Sequence, residues 1–92
     1  MDMKDKAIDF VMSMEKASMV IKALSAERIE VHGVSLIGGK PVIRVKPCAF
    51  CERMVHEGKA FYLEFGANAY GRYRQGQYMV NGCKVVWSES LH

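Results

Sequence analysis

The sequence predicts an α+β protein in which one long N-terminal helix packs on a small antiparallel sheet of about five strands. Residues 1–27 contain neither glycine nor proline and consist mainly of good helix formers. The remainder of the chain alternates between short apolar runs and turn residues, a pattern typical of strands. Ninety-two residues with an apolar fraction of 50% suffice for one packed core. Residues 1–92 are therefore predicted to form a single domain.

The predicted helix, residues 4–28, has two apolar sides. Its main stripe steps by four and three residues, which is the spacing of a heptad seam. This stripe packs either on the protein's own sheet or on a second copy of the chain. Ile8, Met12 and Met19 lie off the stripe, on a side that a small sheet cannot also cover. We therefore expect a homodimer through this helix, with Phe10, Met14, Ala17, Ile21 and Leu24 in the seam and with Met12 and Met19 at a partner-binding surface.

The predicted strands are separated by turn residues. Gly38-Gly39 and Asn81-Gly82 each stand between two apolar runs, as expected for tight hairpin turns with positive φ. Gly33 interrupts the alternation of the first strand and indicates a bulge. In the third strand, Phe61, Leu63 and Phe65 are expected to share one face. The strands are predicted near residues 29–37, 41–46, 60–65, 77–80 and 83–87. Residues 52–59 are polar and are predicted to be a loop that can include one helical turn.

Residues 66–76 are rich in glycine, tyrosine and arginine and are predicted to be a loop. Tyrosine and arginine stack on bases and hold phosphates in nucleic-acid complexes. The same residue types are enriched at hot spots between proteins. Because the net charge is a mild +3, we expect protein contact rather than nucleic-acid contact, and the alternative to both is an ordinary exposed hairpin loop. The expected contact residues are Tyr70, Arg72, Tyr73 and Arg74, with the two arginines as anchors.

Cys48 and Cys51 form a Cys-x-x-Cys pair after Pro47. Two thiolates at this spacing form one half of a tetrahedral zinc site, and the alternative is a pair of small buried thiols. The run VKPCAFC at residues 45–51 resembles the opening of the zinc-ribbon proteins of the phage restriction-alleviation family. This resemblance implies zinc held by Cys48, Cys51 and Cys83, with Val80 at the place of a further thiolate and with His56 or His92 as a substitute ligand.

The sequence contains no recognisable catalytic constellation. His56-Glu57 has no nucleophile at a known spacing, and Gly38-Gly39-Lys40 is followed by proline rather than by the serine or threonine of a phosphate loop. We therefore expect a protein that is not an enzyme and that needs no cofactor unless the cysteines bind zinc. The longest uncharged run, residues 31–39, is too short to span a bilayer, and no signal peptide is recognisable. A cytoplasmic protein is expected.

Together these features predict a small regulatory protein that acts by binding another protein. In size and general character the chain is similar to the small accessory proteins of lambdoid prophages, among them antirepressors. That resemblance implies a partner that is a transcriptional repressor, inactivated because its DNA-binding or dimer surface becomes occluded. The alternative is a zinc-stabilised nucleic-acid-binding module of the restriction-alleviation type, which would unfold on loss of its metal ligands.

Overall fold

The fold has two layers, with two helices on one face of a five-stranded sheet. The computed structural model describes residues 3–69 and 71–91. The α+β class and the long N-terminal helix agree with the sequence prediction. The elements are α1 (Met3–Ala26), β1 (Val31–Ile37), β2 (Lys40–Val45), α2 (Ala49–His56), β3 (Phe61–Asn68), β4 (Gly71–Val80) and β5 (Cys83–Leu91).

The strand order across the sheet is β1-β2-β5-β4-β3. The neighbouring strands are antiparallel except at the centre, where β2 and β5 pair in parallel with Ile43 opposite Val85. The expectation of a purely antiparallel sheet is wrong at this contact. A parallel pair needs a long crossover connection, and the chain supplies one through α2, β3 and β4.

Both predicted hairpin turns are confirmed by their backbone conformation. Gly38 and Gly39 have φ values of 59° and 81°, and Asn81 and Gly82 have φ values of 47° and 74°. Two consecutive positive φ values define the type I′ turn, which matches the twist of the strands it joins. The predicted bulge in β1 is also confirmed, since its register with β2 shifts between Val31 and Gly33.

The end of α1 is set by a left-handed residue. Arg28 has a φ of 61°, and its N–H donates to the carbonyl oxygen of Ser25 at 3.0 Å. The Ile29 N–H donates to the carbonyl oxygen of Leu24, also at 3.0 Å. This pair of hydrogen bonds is a Schellman motif, and the burial of both Leu24 and Ile29 completes it. The helix therefore ends at Ala26 rather than at residue 28.

The two halves of α1 differ in what they contact. Ala17 and Leu24 are buried against the sheet, whereas residues 7–12 and 14–16 are exposed. Among the expected seam residues, Phe10 and Met14 are exposed and Ile21 is half-buried against the core. The prediction that the whole seam contacts a second copy is therefore wrong. Its C-terminal half packs on the protein's own sheet, which was the other interpretation of the same stripe.

The core is centred on Trp87, which is fully buried. Its ring lies against Tyr78 at a centroid distance of 6.4 Å and directly over Gly76. A Cβ atom at Gly76 would lie 2.3 Å from Cζ2 of Trp87. The indole N–H is buried without a hydrogen-bond partner in the described part of the chain. The absence of a side chain at Gly76 is what allows the indole to lie on the backbone of β4.

A second helix occupies a segment that was predicted to be mainly a loop. Residues 52–59 are largely polar, yet Ala49–His56 form α2 and place Cys51 in the core. Gly58, with a φ of 75°, ends this helix, and the N–H of Lys59 donates to the carbonyl oxygen of Met54 at 2.9 Å. This is again a Schellman ending, in which glycine takes the left-handed position at no steric cost.

The hairpin of β3 and β4 is longer than the sequence indicates. β3 extends to Asn68 and β4 begins at Gly71, so the predicted loop at residues 66–76 is mostly strand. A register shift between residues 62 and 64 places Phe61 opposite Gln77 and Phe65 opposite Arg74. Because three positions separate Gln77 from Arg74, the two phenylalanines lie on opposite faces. The prediction of a shared face is therefore wrong.

Candidate protein-binding surface

A stripe of exposed apolar side chains runs along α1 on the side away from the sheet. Ile8, Met12 and Met19 are 57%, 51% and 64% exposed, and these three residues are called the outer stripe below. Helical geometry places the outer stripe about 130° around the helix from the buried side chains of α1. Met12 and Met19, both expected at a partner surface, therefore lie in the open on one side of one helix.

An apolar groove begins at Met19, where the outer stripe reaches the C-terminal half of α1. The groove has a volume of about 420 Å³ and lies between α1, α2 and the end of the β4–β5 hairpin. On its floor, the rings of Phe50 and Tyr78 meet edge to face with centroids 6.2 Å apart. The residues that line it are Met19, Val20, Ala23, Leu24, Glu27, Ile29, Phe50, Met54, Tyr78, Val80 and Asn81.

The sequence analysis missed the part of the groove that α2 contributes. Phe50 and Met54 are four residues apart, as are Cys51 and Val55, and this spacing is a helical signal. The polar residues between these positions made the segment appear to be a loop. The residues from β4 carried no signal at all, because their role depends on which helices pack beside them.

Arg74, expected as a free anchor, is held by contacts within its own chain. Its Nε donates to Oε2 of Glu89 at 2.8 Å, and its guanidinium carbon lies 3.8 Å from the centre of the Tyr62 ring. The hydrogen bond to Glu89 is the main reason that the pKa of Arg74 is raised. Arg74 therefore joins β3, β4 and β5, and its charge is already paired.

The other residues of the predicted arginine and tyrosine site are spread over the β3–β4 hairpin. Arg72 is exposed on β4, and Tyr73 is half-buried with its ring over Gly66. Tyr70 lies outside the described residues. Arg72 is thus the arginine of this set that remains available to a partner.

The three cysteines do not converge. The sulfurs of Cys48 and Cys51 are 3.9 Å apart, close to the edge of about 3.8 Å expected for two thiolates on one zinc ion. Cys83 lies elsewhere, where its Sγ donates to the carbonyl oxygen of Asn81 at 3.7 Å. Within residues 3–69 and 71–91, no group of three or more potential ligands is arranged to hold a metal. The ligand set Cys48, Cys51 and Cys83 therefore does not fit a zinc ion.

Burial also distinguishes these thiols from ordinary exposed cysteines. Cys51 is buried in the first turn of α2, and this burial is the main reason that its pKa is raised to about 12. Burial likewise raises the pKa of Cys83, although the positive charge of Lys16 partly opposes this effect. Both side chains are therefore protonated near neutral pH.

The accessible surface of the chain is larger than its mass predicts. It measures 6633 Å². A folded monomer of this mass exposes about 5,400 Å², so the excess is about 1,200 Å². The radius of gyration, 14.7 Å, likewise exceeds the roughly 12 Å expected for this length.

The fold and these surfaces define a small α+β protein with an exposed apolar surface. A family model described as "Uncharacterised protein" matches residues 1–90, and the chain belongs to that family. No curated protein matches the chain, and no solved structure does. Neither α1 nor α2, within the residues described, is both long and apolar enough to cross a bilayer.

Proposed function

We propose that this protein is a non-enzymatic regulatory protein that acts by binding other proteins and that its working form is a homodimer. The observation that carries the proposal is the continuity of the outer stripe with the apolar groove. The two meet at Met19, from which exposed apolar side chains extend along α1, where Glu15 and Lys16 interrupt them, and over α2. Contiguous exposed apolar areas of this kind mark interaction sites in soluble proteins.

The two ends of this area complement each other. A symmetric dimer requires that each patch on one copy meet its counterpart on the other. If two α1 helices pack antiparallel with Met12 opposite Met19, the same spacing places Ile8 opposite Ala23. Ala23 lines the groove, so its small side chain leaves room for the larger Ile8 of the second copy. The N-terminal half of each α1 would thus cover the groove of the other.

The excess surface is large enough for such a contact. A stable interface of standard size buries about 800 Å² on each partner. The excess of about 1,200 Å² per chain exceeds this amount. A second copy is therefore an occupant of the right size, and one that is present wherever the protein is made.

The test is the mass in solution of a variant that carries Ile8→Glu and Met12→Glu. Both side chains are exposed, so the substitutions leave the core intact but place two charges in the proposed interface. Sedimentation equilibrium should show a dimer for the native protein and a monomer for the variant. Ser18→Glu is the matched control, because Ser18 is exposed on another side of the same helix. This variant should stay dimeric. A double variant of native mass would refute the proposed interface.

The narrower form of the proposal is that the partner is a transcriptional repressor. The support is the likeness in size and character to lambdoid prophage accessory proteins, together with a charge of +3. A positive chain does not mimic DNA, so the protein would instead occupy the repressor's own protein surface. Adding the protein to a repressor bound to labelled operator should lower the fluorescence anisotropy to that of free DNA. Operator that stays bound in a large excess of the protein would count against this partner.

A further inference from the structure

We propose that Cys48 and Cys51 form a thiol–disulfide exchange site that reacts with small disulfides such as oxidised glutathione. The two sulfurs are already 3.9 Å apart. A disulfide bond is about 2.05 Å long, so the sulfurs must approach by about 1.9 Å. Cys48 precedes the first turn of α2 and has an extended backbone, so rotation of its side chain with a small adjustment of that backbone supplies the approach.

The two thiols differ in access in the way that such a reaction needs. Cys48 is half-buried at the N-cap of α2, where the extended chain after Pro47 meets the helix. Cys51 is 1% exposed beneath it. A dissolved disulfide can therefore reach the sulfur of Cys48, whereas the sulfur of Cys51 is reached through Cys48. This order of access assigns the attacking role to Cys48 and the resolving role to Cys51.

The reaction proceeds in two balanced steps. The Cys48 thiolate attacks one sulfur of oxidised glutathione, which forms a mixed disulfide and releases one glutathione thiolate. The Cys51 thiol then attacks the sulfur of Cys48 and passes its proton to the departing glutathione sulfur, which releases the second glutathione as a thiol. Two protein thiols have been oxidised to one disulfide, and one glutathione disulfide has been reduced to two thiols.

The same geometry argues against a metal shared between two chains. The sulfur separation fits two ligands of one zinc ion, but such an ion would need both sulfurs at an open surface. The burial of Cys51 closes that surface on one side. The part of the chain that is described offers no third ligand beside the pair. Thiol–disulfide exchange requires neither an open surface at both sulfurs nor a third ligand. It also does not depend on the proposed regulatory role.

The test begins with the fully reduced protein, incubated anaerobically with oxidised glutathione. The reaction is stopped in acid, remaining thiols are alkylated in denaturant, and intact masses are measured. Native protein should lose two alkylatable thiols and retain one, with no bound glutathione at the end. Cys51→Ala should accumulate one stable glutathione on Cys48, and Cys48→Ala should react at least tenfold more slowly. Cys83→Ser is the control and should form the disulfide at the native rate.

Several outcomes would overturn the proposal. One is native protein that keeps three alkylatable thiols after prolonged incubation, a result that requires no variant to fold. Another is Cys48→Ala that acquires glutathione at the native rate, since this would place the attack at another thiol. Native mass spectra that show one zinc ion per chain, lost only on unfolding, would instead assign the pair to a metal.

Discussion

Gly76→Ala tests whether the contact between Gly76 and Trp87 is as tight as the structure shows. The added Cβ would lie 2.3 Å from Cζ2 and 2.4 Å from Cε2 of Trp87, where ordinary contacts are 3.4–4 Å. The indole must therefore shift by more than 1 Å, yet Trp87 has no exposed edge through which to move. Overpacking of this kind costs about 3 kcal/mol, at the upper end of its usual range.

The net effect includes a smaller favourable term. Replacing glycine by alanine within a strand lowers the entropy of the unfolded chain, a gain of about 0.5–1 kcal/mol. The expected loss in the free energy of unfolding for Gly76→Ala is therefore about 2 kcal/mol. For a domain of this size, that loss lowers Tm by about 10 °C. Urea unfolding followed by tryptophan fluorescence and thermal unfolding followed by circular dichroism measure the two quantities.

A second glycine in the same sheet supplies the control. A Cβ at Gly66 would lie 2.6 Å from the hydroxyl oxygen of Tyr73, which is also far below an ordinary contact distance. Tyr73 is half-buried, however, and the atoms approached are the far end of its ring. The ring can swing outward, so Gly66→Ala should change the free energy of unfolding by less than about 1 kcal/mol. A Tm for Gly76→Ala equal to that of the native protein, or a larger loss for Gly66→Ala, would refute this reasoning.

Three further predictions concern pH, an ion pair and a turn. Burial raises the pKa of Tyr78 and of Cys51 to about 12 from ordinary values of 10.0 and 9.0, so the unfolded chain loses these protons first. The contribution of these two groups to the free energy of unfolding should therefore be constant below about pH 9 and fall between about pH 9 and 12. The fall should be less steep in Tyr78→Phe. Urea unfolding between about pH 9 and 12 measures both slopes, and equal slopes would contradict the assignment. Glu89→Gln should lower the free energy of unfolding measured in urea by about 1 kcal/mol, because it weakens the 2.8 Å hydrogen bond from Arg74. A Tm equal to the native value would contradict this prediction. Gly38→Asn should leave Tm nearly unchanged, since Asn81 occupies the equivalent place in the other hairpin. Gly38→Val should lower the free energy of unfolding by about 1–2 kcal/mol, because valine does not accept positive φ. Equal Tm values for the two variants would contradict the positive φ at Gly38.

The parts of the fold that the sequence predicted are those determined by neighbouring residues. A tight turn is specified by two adjacent residues that accept positive φ. Asn81-Gly82 therefore predicts a turn without any knowledge of how the strands are arranged. The absence of glycine and proline before Arg28 likewise determines α1 without reference to the sheet. The parallel pairing of β2 with β5 was missed because it joins segments about forty residues apart, and no local pattern records such a partner.

The part of the candidate surface that lies on a single helix, α1, could be predicted from the sequence. Met12 and Met19 could be assigned to a second side of one helix from their spacing alone, and both are exposed there. The groove could not be predicted, because its walls come from three segments that meet through tertiary packing. Arg74 was wrongly predicted to be free for a partner. The arginine-rich and tyrosine-rich composition of residues 66–76 suggested an exposed loop, whereas Glu89, which is distant in sequence, pairs with Arg74.

The parallel contact at the centre of the sheet has a consequence for how the chain folds. On each side of it lie antiparallel hairpins whose strands are close in sequence, and such hairpins form within microseconds. The pairing of Ile43 with Val85 must instead close a loop of about forty residues, which makes it the contact of highest contact order in the sheet. We expect the junction of β2 and β5 to form last, and substitutions at Ile43 to accelerate unfolding more than they slow folding.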